Sequence, residues 1–137
     1  MKRHIVACAL LVLLSLSAGC SHGQMTGRRY ASIIGVREER LEEYKEVHKA
    51  VWPEMLAAIR EANIRNYSIY LCKLDGKCYL FSYYEYVGED FGADMARLGA
   101  TPVSRKWSEM CKPMLIPMRV HSDDEWWLST EEVFHTD

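Results

Sequence analysis

His48 is the residue whose chemistry best suits proton transfer near neutral pH. An unperturbed imidazole titrates near pH 6.5, so it both takes and gives protons there. Tyr44 stands four residues earlier, and on a helix the two project from one face. Leu41, Val51 and Met55 fall on the same face. That spacing also describes a core histidine bonded to a neighbour, and position alone leaves both readings open. Trp52-Pro53-Glu54 follows at once, and a proline there costs helical hydrogen bonds. Tyrosines crowd the next segments: Tyr67 shares a strand face with Ile69, and Phe81, Tyr83 and Glu85 alternate with Ser82, Tyr84 and Tyr86. Such rings make an ordinary aromatic sheet surface. They equally suit a sugar site, where apolar sugar faces lie on rings and sugar hydroxyls need polar partners. Trp126-Trp127, after Asp123-Asp124, reads either as a core edge or as part of a site.

Other chemistries find less support. His48, His121 and His135 include no pair at a helical ligand spacing. No CxxC, GxGxxG, P-loop or GxSxG is present. The net charge is −2, which offers no basic field for nucleic acid. The length of 137 residues suits one domain. A hydrophobic content of 49% with 26% charged residues is globular.

The elements that must position these residues begin after a leader. Lys2 and Arg3 precede an apolar run from Ile5 to Leu16, too short to span a bilayer of roughly 30 Å. Ser17-Ala18-Gly19 stand directly before Cys20. The pattern reads as a signal peptide and resembles a bacterial lipobox, with Cys20 as the lipidated residue. Ordinary secretion with cleavage near Gly19 is the other reading. The expected organisation is a leader over 1–20, a polar tether over 21–27 and an α+β domain over 28–137. The expected location is the cell envelope, lipid-anchored to the outer membrane and facing the periplasm, with no other membrane contact.

Arg29–Val36 reads as a strand. Apolar positions from Leu41 to Ile59 recur at helical spacing, with a break near Trp52 and a new helix starting at Pro53. Asn66–Leu74 and Cys78–Val87 read as paired strands around Asp75-Gly76. A two-residue turn there pairs Cys72 with Tyr79; a three-residue loop would oppose Cys72 to Cys78 and permit a disulfide. Asp90–Leu98 and Val103–Leu115 read as helices, and Glu131–His135 as a last strand. The order β-α-β-β-α-α-β is that of a ferredoxin-like split βαβ fold. With helices on one sheet face, a second copy can cover the other.

Together the residues carry a resemblance. Tyr44-Lys45-Glu46-Val47-His48, Val51-Trp52-Pro53-Glu54, Asn66-Tyr67-Ser68-Ile69-Tyr70-Leu71 and Glu132-Val133-Phe134-His135 resemble the L-rhamnose mutarotase family. The motifs run in order from Tyr30 to His135, and their combination is more specific than any one part. The resemblance implies an α+β chain whose ferredoxin-like subunits form a dimeric α+β barrel, hence a homodimer. It implies a cofactor-free isomerase, a mutarotase interconverting the α and β pyranose anomers of L-rhamnose or a similar 6-deoxysugar such as L-fucose. Its partner is then a small-molecule monosaccharide. His48 would be the catalytic proton donor, Tyr44 and Tyr67 substrate-binding residues, and Trp107 a ring face. Glu85 and His135 are second-tier candidates, one of which would orient His48. Trp107 resembles the second member of a family tryptophan pair whose first position is Lys106 here. Two other classes fit the same fold. One is a periplasmic lipoprotein that binds a deoxysugar or its oligosaccharide without turnover. The other is a cofactor-free monooxygenase or a haem-binding relative.

Overall fold

The computed structural model describes residues 27–123 and 125–136. The expected leader, including Cys20, and all of the expected tether but Gly27 lie outside them.

Strand β1 (Arg28–Val36) leads through a 3-10 turn (Glu38–Arg40) into α1 (Leu41–Lys49). Helix α2 (Pro53–Glu61) follows, then strands β2 (Ile64–Leu74) and β3 (Lys77–Tyr86). Helices α3 (Phe91–Ala100) and α4 (Pro102–Cys111) come next. A 3-10 turn (Lys112–Met114) leads to two short strands, β4 (Leu115–Ile116) and β5 (Leu128–Ser129). The expected order therefore holds from β1 to α4, and the chain is α+β with an antiparallel sheet.

Local chemistry explains the boundaries. Pro53 sits in the first turn of α2, where its missing N–H costs nothing. The Trp52 carbonyl accepts from Met55 and Leu56 N–H at 3.0 and 3.1 Å. Asp90 caps α3, its carboxylate accepting from the Ala93 N–H at 3.0 Å. Thr101 caps α4, its hydroxyl accepting from the Ser104 N–H at 3.2 Å. Asp75 and Gly76 both have positive φ, 49° and 76°. These angles make a two-residue turn that matches the strand twist. Cys72 accordingly pairs with Tyr79 rather than Cys78, and Cys72, Cys78 and Cys111 are free thiols.

The sheet order is β2-β3-β1-β4, with β5 also on β1. The register opposes Ile34 to Leu80 and Val36 to Cys78. These side chains meet Tyr44, Cys111, Met114 and Leu115 in one core under α1 and α4. β4 reaches β1 because Gly35 has no side chain: a Cβ there would lie 2.9 Å from Ile116 Cβ.

The expected strand at Glu131–His135 is corrected. The strand lies earlier, at Leu128–Ser129, with Ser129 opposite Ser32. Continuing that register brings Val133 opposite Arg28, where β1 begins, so only the first part of the expected segment runs beside β1. Beyond Ser129 the segment is held by one backbone bond and by side chains. Thr130 donates from its N–H and hydroxyl to the Ala31 carbonyl, each at 3.0 Å. Arg29 grips Glu132 through two bonds of 2.6 and 3.0 Å.

Candidate active site

Helix α1 carries Tyr44 and His48 on one face, and their rings stack at 4.0 Å between centroids. His48 Nδ1 lies 2.9 Å from the Tyr44 carbonyl oxygen. A carbonyl only accepts, so Nδ1 bears the hydrogen. The neutral ring therefore keeps its lone pair on Nε2, which has no hydrogen-bond partner among the described residues. Trp107, from α4, meets the His48 ring edge-on at 5.3 Å. Burial lowers the His48 pKa, and the bond to the Tyr44 carbonyl only partly offsets it. The ring is thus mainly neutral at pH 7.

The helix break has a function in this arrangement. Unwinding at 50–52 swings Trp52 onto Trp107, edge to face at 5.2 Å. Lys106 Nζ rests over the Trp52 ring at 5.3 Å. Lys106 therefore buttresses the ring of Trp52, the residue just before α2.

Tyr67 arrives from the sheet through a bulge. Between the pairs Arg65–Glu85 and Ser68–Tyr83, β2 has two residues where β3 has one. Asn66 takes φ 48°, which asparagine tolerates better than most residues, and its amide donates to Glu85 at 2.9 Å. The bulge turns Tyr67 onto Tyr84 at 5.5 Å. Tyr67 is 44% exposed, yet desolvation of its phenol pushes its pKa up to about 12. Burial pushes the Tyr44 phenol up as well. Both stay protonated at neutral pH. Neither hydroxyl has a hydrogen-bond partner among the described residues, so each can still donate.

Two cavities share His48, Tyr67, Ile69, Trp107 and Trp127 in their walls. The larger measures about 770 Å³ and runs between the sheet and α2 and α3. The smaller, about 220 Å³, reaches Tyr44 and Cys111. Burial pushes the Cys111 thiol up to about 11, so it stays protonated and is a poor nucleophile.

Tyr44, His48, Tyr67 and Trp107 are thus brought together. Glu85 and His135 are not. Glu85 accepts from Asn66 and from the Tyr83 hydroxyl at 3.1 Å, on the sheet face away from the cavities. His135 lies in the exposed C-terminal segment and lines neither cavity. The group that orients His48 is the Tyr44 carbonyl, one helical turn back. No three His, Cys, Asp or Glu side chains among the described residues are grouped to hold a metal ion. The sequence leaves Trp127 open, treats Ser32 and Tyr30 only as strand residues, and assigns Ser129 to no element. All line the larger cavity. Trp127 could have been found from the tandem tryptophans, the serines only from the register.

Known proteins resemble this chain over the whole described domain. A family model described as L-rhamnose mutarotase matches residues 29–136. An L-rhamnose mutarotase from Oceanobacillus iheyensis is 36% identical over 112 residues, covering 80% of this chain and 99% of the relative. One from Bacillus subtilis is 34% identical over 111 residues, with the same coverage. The crystal structure of an L-rhamnose mutarotase from Formosa agariphila is similar in fold, with a TM-score of 0.62 at 21% identity. It covers 80% of this chain and 99% of that one.

The comparisons correct the expected location. The shared region takes up 99% of each of these relatives, which leaves them no length for an anchor segment. No helix among the described residues is long and apolar enough to cross a membrane. A lipid-anchored envelope protein facing the periplasm is therefore not what the relatives indicate. The chain belongs to the L-rhamnose mutarotase family.

Proposed function

We propose that the chain interconverts the α and β pyranose anomers of L-rhamnose, or of a similar 6-deoxysugar such as L-fucose, with His48 moving the proton. The observation that carries this reading is the His48 ring itself. It is held by the Tyr44 carbonyl at 2.9 Å, with Nε2 unengaged among the described residues, on a wall shared with Tyr67 and Trp107. Neutral His48 accepts the proton of the anomeric hydroxyl at Nε2. The C1–O1 bond becomes a carbonyl, the C1–O5 bond breaks, and the electron pair leaves on O5. The imidazolium then donates its Nε2 proton to O5. The two oxygens share one carbon, so one nitrogen serves both. Rotation about C1–C2 and closure on the opposite carbonyl face reverses the steps and restores neutral His48.

Tyr44 and Tyr67 hold the sugar by donating from their phenols. Their raised pKa values favour donation over proton removal. Trp107 offers a ring face to the apolar side of the sugar and fixes the imidazole edge. Residues 28–137 form the working domain. Two copies form a dimeric barrel: the row Tyr70–Phe81–Ile33–Leu128 lies on the sheet face away from the helices, with Tyr70 62% exposed. A second copy would bury it, and sedimentation velocity tests this directly.

The test of activity is proton NMR exchange between anomers of L-rhamnose and of L-fucose, with and without protein. Faster exchange that needs His48 supports the reading, and the faster sugar names the substrate. Sugar signals that broaden without faster exchange would mark a binding protein and sink the catalytic reading.

A further inference from the structure

We infer that the serine row Ser82–Ser32–Ser129 reads a vicinal pair of sugar hydroxyls and so sets which sugar the site accepts. The inference rests on the mutarotase reading.

The register builds this row. Ser82 of β3 opposes Ser32 of β1, which in turn opposes Ser129 of β5. Ile69 of β2 opposes Ser82 at the other end. All four side chains line the larger cavity, in the wall shared with His48, Tyr67 and Trp107. The row is a hydroxyl tier between two tiers of different chemistry. On one side lie Ile34 and Leu80, both fully buried core. On the other lie the rings of Tyr30 and Tyr84, with Tyr67 packed on Tyr84.

The hydrogen-bond inventory shows what the row can still do. The Ser32 and Ser82 hydroxyl oxygens are 2.7 Å apart. Two hydroxyls carry two protons, and only one can lie between them. The second has no acceptor among the described residues, and each oxygen retains lone-pair capacity. Ser82 is 3% exposed, so bulk water is a poor partner for it. A purely structural tier at this depth would be better served by alanine or valine, because a buried hydroxyl that is only half satisfied is costly.

The spacing matches a diol. Adjacent ring hydroxyl oxygens of a pyranose sit about one hydrogen-bond length apart, roughly 2.8 Å. Ser32 and Ser82 present two oxygens at 2.7 Å, so a vicinal diol can close a four-oxygen ring of hydrogen bonds with them. His48 must face C1, where the reaction takes place. The diol is then the 2,3 or the 3,4 pair of the 6-deoxyhexose, and the C3 hydroxyl belongs to both. Ser129, on the exposed edge, extends the row toward the cavity mouth.

The test compares L-rhamnose with 3-deoxy-L-rhamnose for wild type, Ser82→Ala and Ser32→Ala, by NMR anomer exchange. Thermal unfolding confirms that each variant folds, and Ser129→Ala carries the same readout should the Ser82 and Ser32 variants both fail to fold. Wild type is expected to prefer L-rhamnose by roughly tenfold or more in KM. Ser82→Ala is expected to raise KM for L-rhamnose about tenfold, with kcat little changed, and to bring the ratio between the two sugars near one. A merely structural serine would not move that ratio. A folded Ser82→Ala with the wild-type ratio, in a wild type that turns over L-rhamnose, overturns the serine assignment and leaves the mutarotase reading standing. If wild type binds sugar without turnover, the same ratio is read from dissociation constants. If wild type neither binds nor turns over either sugar, both readings fall together.

Discussion

The pH dependence of anomer exchange follows from one hydrogen bond. The Tyr44 carbonyl fixes the His48 tautomer at 2.9 Å and leaves Nε2 as the basic atom. Stacking on Tyr44 and against Trp107 desolvates the ring, and that effect outweighs the carbonyl and lowers the pKa from 6.5. In the proposed mechanism the reactive form at the start of each turnover is neutral His48, present at roughly three quarters or more at pH 7. The sign is then fixed: kcat/KM is level above neutrality and falls as pH drops through the folded pKa. Below that pKa each unit of pH costs about tenfold. His48→Asn keeps a side chain of similar reach and removes the titration. It should lower kcat/KM by about 10²- to 10⁴-fold and flatten the acid limb. The assay is selection-inversion NMR on equilibrated L-rhamnose from pH 5 to 8, with the protein-free exchange rate subtracted at each pH. A wild-type profile that climbs on acidification would show that imidazolium, not imidazole, starts the reaction. A His48→Asn variant with more than a tenth of wild-type exchange would remove His48 from the chemistry altogether.

Three further outcomes test other parts of the structure. Trp107→Ala deletes ring contacts to His48 and Trp52 at 5.3 and 5.2 Å. At about 0.5–1.5 kcal/mol per contact, kcat/KM should fall by roughly 10- to 100-fold, and Trp107→Phe should recover most of it. Gly35→Ala sets a Cβ 2.9 Å from Ile116 Cβ and 3.1 Å from its carbonyl oxygen. Calorimetry should show Tm lower by roughly 5–15 °C, from overpacking of about 1–3 kcal/mol, and an unchanged Tm would mean that β4 does not press on β1. Asp94 accepts from Asn63 at 2.8 Å, Tyr86 at 2.7 Å and Arg97 at 2.6 Å, and these bonds hold its carboxyl below the usual range. Its contribution is therefore present above the unfolded carboxylate pKa and lost as pH falls through the folded value. The Tm gap between wild type and Asp94→Asn should be widest near pH 7 and shrink below pH 4; parallel Tm curves would refute it.

What could be read from the sequence, and what could not, divides along the range of the interactions. Pro53 ends α1 and starts α2 for reasons contained in four residues, and Asp75-Gly76 fixes its turn by backbone angles alone. Asp90 and Thr101 announce their helices by local caps. Tyr44 and His48 meet because a helix repeats every 3.6 residues, so their pairing was legible at once. The other features depend on which strand lies opposite which. That the last strand falls at Leu128–Ser129 rather than Glu131–His135 is settled by its pairing with Ile33 and Ser32 on β1, almost a hundred residues earlier. The bulge at Asn66 changes the face of one residue, Tyr67, and strict alternation along β2 would not reveal it. Ser32, Ser82 and Ser129 are separated by 50 and 47 positions and become one row only across β3, β1 and β5. The half of the candidate site proposed to do the chemistry is thus written in local spacing on α1. The half that would choose among sugars is written in strand register. That division predicts how the two halves respond to mutation. Substitution of His48 on α1 should change the rate for every sugar alike, and substitutions along the serine row should change their ranking.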